Sequence, residues 1–129
     1  TTGLSETEPE RVLCPGDLID CQALVRQAPV SKKVAEAILR LVRTGRPETS
    51  DLDSVCKHVS WGPGPRASQA LMLGARARAV IEGRLAPSVD DVIALAHPIL
   101  RHRMALTFAA RAEGVTLASI IDGLCERIG

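Results

Sequence analysis

The residue with the clearest capacity for chemistry is Arg66, which directly follows an alternating run of glycine and proline, Gly62-Pro63-Gly64-Pro65. Proline suits the first position of a helix, so the run predicts a helix that begins at Pro65 with Gly64 as its N-cap. Arg66 would then lie on the first turn, beside unpaired backbone N–H groups and at the positive end of the helix dipole. The positive end of the dipole repels the positively charged guanidinium, and a bound anion would offset this repulsion. The alternative is a surface arginine paired with a nearby carboxylate.

The glycine–proline run is a poor phosphate cradle in itself, because each proline lacks the N–H that such a loop donates. The sequence contains no G-x-x-x-x-G-K-[ST] loop and no local signature of a Ser-His-Asp or Cys-His catalytic set. We therefore interpret the run as a stiff turn that positions Arg66, and we expect no complete catalytic site in this chain.

The histidines do not predict a metal site. His97 and His102 are five residues apart across a proline, so they would not share a helical face, and His58 stands alone. Histidines on the surface or in local hydrogen bonds are the favoured interpretation, and no metal is expected.

The four cysteines show no C-x-x-C spacing. We interpret them as reduced core thiols of a cytosolic protein, and not as a disulfide framework or a zinc site. They are Cys14, Cys21, Cys56 and Cys125.

Composition limits the possible partners. The 129 residues suffice for one domain, and the net charge of +1 gives no case for a surface that binds polyanions. Aromatic residues make up only 2% of the chain, which argues against a platform for stacking nucleobases. The scattered arginines are interpreted as solvated or salt-bridged; they include Arg76, Arg78, Arg84, Arg101 and Arg103. No apolar run is long enough to insert into a membrane, and we expect a cytoplasmic protein. A first residue other than Met suggests an excerpt from a longer chain.

The elements that must position Arg66 are predicted from hydrophobic periodicity and helix caps. The helix from Pro65 is expected to end at a left-handed Gly83 and to be central, because apolar residues cover most of its circumference. Those residues include Ala67, Ala70, Leu71, Leu73, Gly74, Ala77, Val80 and Ile81.

Four further helices are predicted. The first runs from Gly16 to Pro29 and carries Leu18, Cys21, Val25 and Ala28 on one face. The second is capped by Ser31 and ends at Gly45. The third is capped by Ser88, with Asp91 as the reciprocal partner, and the fourth is capped by Thr116. We expect Pro98 to break the third of these at His97.

Two segments have less decisive patterns. Residues 52–61 alternate, which favours a short strand or extended segment over a single helical turn near Asp53. Residues 104–109 are expected to be extended or irregular. Residues 1–10 are expected to be a frayed end. The predicted class is therefore all-α, a small helical bundle over residues 11–129 with about five main helices and at most a short strand pair.

Several motifs in order resemble one known family. Residues 59–71 (VSWGPGPRASQAL) resemble the sensor-2 signature of MoxR-type AAA+ ATPases. Residues 88–92 (SVDDV) and 96–103 (AHPILRHR) are similar to the downstream motif of that family, and residues 24–26 and 41–47 (LVRTGRP) also fit. The resemblance extends from Arg11 to Ile128.

The resemblance implies the C-terminal helical lid of such an ATPase, with Arg66 as the sensor-2 arginine. The α/β core that carries the Walker motifs, sensor 1 and the arginine finger would lie outside this chain. ATP and Mg²⁺ would belong to the parent protein, and the isolated chain would not hydrolyse ATP. The family also implies a hexameric ring, in which Arg66 would reach the nucleotide of its own or a neighbouring subunit. It further implies chaperone-like maturation of partner complexes, often proteins with von Willebrand factor A domains.

The alternative function class is a stand-alone helical module, either a helix-turn-helix DNA reader or a protein-interaction module. The near-neutral charge and the lack of an evident basic recognition helix count against DNA binding. No nucleic-acid partner is expected.

Overall fold

The computed structural model describes residues 10–129, and these form seven helices and one pair of short strands. In chain order the elements are α1 (Pro15–Gln27), α2 (Lys32–Thr44), α3 (Asp53–His58), β1 (Val59–Trp61), α4 (Pro65–Ile81), α5 (Val89–Leu100), β2 (Ala105–Leu106), α6 (Phe108–Ala112) and α7 (Leu117–Glu126). This confirms the all-α class and the five main helices, with α3 and α6 as additional short ones. The predicted frayed end falls on residues 1–9, outside the described residues, apart from Glu10, which is exposed and has no regular structure.

Helix α4 is the central element, packed against α1, α2 and α5. It begins at Pro65 after an extended Gly64, as predicted, and it ends before Gly83, whose φ of +73° is the predicted left-handed conformation. One stripe of its surface is fully buried, at four-residue spacing: Ala67, Leu71, Ala75 and Ala79. The small side chains in this stripe allow the neighbouring helices to approach closely.

Helices α1, α2 and α5 pack against α4, which agrees with the prediction of neighbours on several sides, but two of the apolar residues named in it are exposed. Leu73 is 50% exposed and Ile81 is 84% exposed. The apolar pattern identified residues that prefer burial, but the described residues provide neighbours on only part of the circumference.

The core lies between α2, α4, α5 and α7. Its largest buried side chains are Ile38, Leu41, Leu71, Leu100, Ile121 and Leu124. The predicted caps are present: Ser31 Oγ accepts a hydrogen bond from the Val34 N–H at 3.3 Å, and Thr116 Oγ1 accepts one from the Ser119 N–H at 3.1 Å. These bonds pair N–H groups that a helix start leaves free. The interpretation of α2 and α7 as amphipathic core helices is confirmed.

Helix α1 forms where predicted, but only the C-terminal end of its predicted apolar face is covered, where Ala28 is buried and Val25 is half-buried. None of the residues within the helix itself is buried, and Leu18, Ile19 and Leu24 are each more than half exposed. Periodicity specifies which face would be covered, but it does not supply the element that covers it.

The predicted break at His97 is also wrong, because α5 continues through Pro98 to Leu100. Proline removes the N–H that would bond to the carbonyl four residues earlier. Pro98 is exposed and only two residues from the end of the helix, while Ala96 and Leu100 on the opposite side are fully buried. Core packing therefore outweighs the loss of one hydrogen bond.

The two segments with less decisive patterns pair with each other. Residues 52–61 contain both alternatives in series, since α3 runs directly into β1. Strand β1 pairs antiparallel with β2, with Val59 opposite Leu106 and Trp61 opposite Ala105. The extended prediction is thus confirmed for β2 but wrong from Phe108 onward. There α6 begins, because Thr107 Oγ1 caps it by accepting from the Ala110 N–H at 3.2 Å.

Candidate functional site at the start of α4

The chain is fixed immediately before the glycine–proline run. Besides the β1–β2 pairing, the Ser60 hydroxyl donates to the carbonyl of Ala105 at 3.0 Å, and the Thr107 N–H donates to the carbonyl of His58 at 2.8 Å. Strand β1 therefore enters the run from a defined direction, although Ser60 and Trp61 are exposed.

The first half of the run lies against the C-terminal end of α2. A Cβ atom at Gly62 would lie 2.7 Å from the Cα of Arg46 and even closer to the carbonyl oxygen of Gly45. Pro63 is fully buried, and a Cβ atom on Gly45 would meet the Pro63 ring at 3.1 Å. Close approach to the backbone therefore explains Gly62, and the tightly packed Pro63 ring favours glycine at position 45.

A side-chain hydrogen bond reinforces this contact. Nε of Arg46 donates to the carbonyl oxygen of Pro63 at 2.6 Å, in a partly buried setting. The end of α2 and the turn before α4 are therefore joined by both packing and a hydrogen bond.

The second half of the run starts the helix. Gly64 is the N-cap, with φ −90° and ψ −175°, and its carbonyl accepts the Ala67 N–H at 2.9 Å. No heavy atom lies within 4 Å of a Cβ built on Gly64, so this glycine is not required sterically. Pro65 occupies the first helical position, as predicted.

Arg66 follows on the first turn of α4, and it is exposed. Within residues 10–129 its guanidinium makes no ion pair and no side-chain hydrogen bond. The run thus holds Gly62 and Pro63 against the end of α2, continues through Gly64 and Pro65 into the helix, and leaves Arg66 exposed. A cation held at a helix N-terminus can bind an anion through its own N–H groups and those of the helix.

A cluster of ion pairs around one buried aspartate, at the other end of α4, was missed by the sequence reasoning. Asp91 is only 2% exposed, and it accepts from Nη1 and Nη2 of Arg84 at 2.8 and 2.7 Å and from Nε of Arg78 at 3.0 Å. The Ser88 N–H adds the predicted capping bond at 2.8 Å. Glu82 pairs with both arginines.

Electrostatics in this cluster favour the charged forms. Hydrogen bonds from Arg84 hold the pKa of Asp91 well below its ordinary value, against the opposing effect of burial. The same pairing raises the pKa of Arg84. Arg84 and Arg78 are therefore the salt-bridged arginines that one interpretation of the scattered basic residues allowed. The sequence signal was the capping aspartate of α5, whose carboxylate needs a charged partner because it is buried.

Two of the histidines lie beside carboxylates that are distant in sequence, and His102 is exposed. His97 Nε2 lies 2.7 Å from Asp122 Oδ1, and His58 Nε2 lies 3.5 Å from Glu113 Oε2. No group of three or more His, Cys, Asp or Glu within residues 10–129 could hold a metal ion.

The prediction of four core thiols is correct only for Cys125, which is buried. Burial raises the pKa of its thiol. Cys21 and Cys56 are exposed, and Cys14 is intermediate; all four are free. Cys21 lies in the part of α1 that the other described residues leave uncovered. Cys56 lies on the outer side of α3, with Sγ 3.6 Å from the Ser50 carbonyl.

No helix within residues 10–129 is long and apolar enough to cross a bilayer.

Comparison with known proteins identifies the domain. The model of the AAA lid domain family matches residues 53–124. The chaperone MoxR1 of Mycobacterium tuberculosis is 28% identical over 127 residues, covering 98% of this chain and 34% of that protein. The YeaC protein of Bacillus subtilis is 32% identical over 119 residues, covering 92% of this chain and 35% of YeaC.

A solved structure agrees in fold. The crystal structure of a candidate ATPase from Cytophaga hutchinsonii superimposes with a TM-score of 0.83 at 25% identity, covering 88% of this chain and 35% of that one. The chain thus spans about a third of the length of the relatives it matches. It belongs to the AAA lid domain family, as a lid of the MoxR type.

Proposed function

We propose that this lid works in an AAA+ ATPase in which Arg66 is the sensor-2 residue, binding the γ-phosphate of ATP and stabilising charge during hydrolysis. The observation that carries the proposal is the setting of Arg66, exposed at the N-terminal end of α4 on an anchored turn, with no ion pair to residues 10–129. The similarity to MoxR1 over nearly the whole chain supports the same role.

The chemistry suits phosphoryl transfer. Arginine carries a permanent charge and offers paired N–H donors that match phosphate oxygens. Charge spreads over the γ-phosphate oxygens in the transition state, so a positioned guanidinium accelerates the reaction electrostatically. Because Arg66 is mounted on the central helix, a change at the phosphate would rotate the whole lid and thereby couple nucleotide state to domain orientation.

The rest of the nucleotide site is proposed to lie in an α/β core of the parent protein. Arg66 and one helix terminus are too few contacts to hold ATP tightly, and Mg²⁺ requires oxygen ligands that the core would supply. We therefore expect no ATP hydrolysis by the 129-residue chain. Exposed apolar residues of α1, including Leu18 and Ile19, are proposed to contact this core. The relatives are about three times as long as the part that this chain covers, which leaves room for a core of that size.

The proposal extends to the assembly and the clients of the parent protein. The similar protein of M. tuberculosis is named a chaperone. We propose a hexameric ring of the parent ATPase that matures partner complexes, with von Willebrand factor A domain proteins as the client class. Whether Arg66 serves the nucleotide of its own subunit or of a neighbour is decided by the ring geometry. Exposed free cysteines such as Cys21 and Cys56 suit a reducing compartment, which supports a cytoplasmic location.

The test is Arg66→Ala in the intact ATPase that carries this lid. We expect kcat to fall about 100-fold or more, as for other transition-state charge contacts, and the affinity for ATP to fall less. Arg66→Lys should recover only part of the rate, because a point charge cannot reproduce the paired N–H donors.

Arg40→Ala is the matched control, since Arg40 is exposed on α2 and has no ion pair within residues 10–129. Arg76 and Arg84 are poorer controls, because Arg76 Nη1 bonds to the Arg26 carbonyl and Arg84 bonds to Asp91. Hydrolysis by Arg66→Ala at the parental rate, with an unchanged melting temperature, would refute the sensor role.

A further inference from the structure

We propose that Arg46 is a positioning residue for Arg66, acting through the carbonyl of Pro63; this inference rests on the function proposed above. Nε of Arg46 donates to the Pro63 carbonyl at 2.6 Å. Pro63 lies seventeen residues after Arg46 and three residues before Arg66. Arg46 does not reach the nucleotide in this proposal. It sets the direction in which the chain enters α4.

The base of Arg46 is itself rigid. The Arg46 N–H donates to the carbonyl of Arg43 at 3.2 Å, and the Arg46 carbonyl accepts the Thr49 N–H at 3.1 Å. The Thr49 hydroxyl also donates to the Arg43 carbonyl at 2.6 Å. The guanidinium therefore projects from a turn closed by three hydrogen bonds at the end of α2.

The carbonyl it holds belongs to the critical peptide unit. Pro63 is packed and buried, but the next residue, Gly64, has open space around the position of a Cβ atom. Sterically, Gly64 is therefore the loosest link between the anchored part of the run and the helix that carries Arg66. By holding the Pro63–Gly64 peptide against the end of α2, Arg46 fixes the position and direction from which Gly64 and the first turn of α4 depart.

The geometry predicts an unusual order of rescue by substitution. Glutamine places its amide nitrogen at the same position along the side chain as arginine Nε, so Arg46→Gln keeps the donor and loses the charge. Lysine keeps the charge but has carbon at that position. A positioning role through the 2.6 Å bond predicts that glutamine rescues better than lysine. A direct electrostatic role at phosphate predicts the reverse order.

The kinetic test uses the intact ATPase with Arg46→Ala, Arg46→Gln and Arg46→Lys. We expect kcat to fall about 10-fold for Arg46→Ala, since small displacements of a catalytic group are costly, with little change in KM. Arg46→Gln should remain within about threefold of the parent, and Arg46→Lys should resemble Arg46→Ala. In an Arg66→Ala background, Arg46→Ala should have no further effect.

The matched control is Arg43→Ala. Arg43 is exposed, lies one turn earlier on α2, and contributes only its backbone carbonyl to the contacts described. A better rescue by lysine than by glutamine would overturn the proposal, and so would losses for Arg46→Ala and Arg66→Ala that simply multiply.

A second readout separates this proposal from the sensor role. In ¹⁵N–¹H spectra of the 129-residue chain, Arg46→Ala should shift the amide signals of Gly64 and Arg66, while Arg46→Gln and Arg43→Ala leave them in place. Shifted amides together with full activity of Arg66→Ala would refute the sensor role and leave the contact intact. Unshifted amides together with a slow Arg66→Ala enzyme would refute the positioning role alone.

Discussion

The arginines at the two ends of α4 lie in opposite electrostatic environments. Arg84 is neutralised by Asp91 and Glu82, within a network that joins the end of α4 to the start of α5. Arg66 has no such partner within residues 10–129. A guanidinium paired with a buried carboxylate stabilises the fold, whereas one left exposed at a helix N-terminus is available to an external anion.

At the residue scale we predict that Asp91→Asn destabilises the domain by about 2 kcal/mol. It removes charge-assisted hydrogen bonds from a buried acceptor and weakens the α5 cap. The measurement is urea unfolding of the 129-residue chain. Asp90→Asn is the control, because Asp90 is the exposed neighbour on the same first turn and makes no hydrogen bond within residues 10–129. Equal unfolding free energies for the two variants would contradict the prediction.

At the element scale, the turn before α4 contains two glycines with different reasons to be there. We predict that Gly62→Ala is destabilising by about 2 kcal/mol, because its Cβ would press on the backbone of Gly45 and Arg46. Gly64→Ala should change stability by less than about 1 kcal/mol, since its φ is ordinary and the space is open. Thermal unfolding of both variants makes the comparison. A larger loss for Gly64→Ala would show that the cap, and not the backbone approach, governs the turn.

The elements around this turn also show which features of the fold could be predicted from the sequence. The start of α4 was predictable because proline and glycine act locally, on their own φ angles and N–H groups, and Arg66 could be placed from them. The exposure of α1 and the continuation of α5 through Pro98 were not predictable, because both depend on what packs against the element. The bond from Arg46 to Pro63 joins residues seventeen positions apart, and no local pattern announces it.

At the scale of the whole molecule, stability should depend on acid pH mainly through Asp91. Its pKa in the folded state lies below the ordinary value of 3.8, so its contribution is complete above that value and is lost as the pH falls toward the lowered pKa. Hydrogen bonds from Cys14 also lower the pKa of Asp17, so this residue changes the pH dependence of stability in the same direction.

We therefore predict that the unfolding free energy of the parent chain falls more steeply below pH 4 than that of Asp91→Asn, so that the two curves converge in acid. Urea unfolding measured at half-unit steps from pH 6 to pH 2.5 provides the comparison. Parallel curves over this range would mean that Asp91 keeps an ordinary pKa in the folded domain.

The exposed face of α1 separates folding of the domain from its assembly. Leu18 and Ile19 are 53% and 65% exposed, so replacing both with serine should change the unfolding free energy of the isolated chain by less than about 1 kcal/mol. If the proposed ATPase core covers this face, the same double variant should bind a separately produced core at least tenfold more weakly, because apolar area is lost from the interface. Calorimetric titration measures the affinity, with Leu39→Ser, a similarly exposed leucine on α2, as the control. Unchanged affinity of the Leu18/Ile19 variant would place the core on another face of the lid.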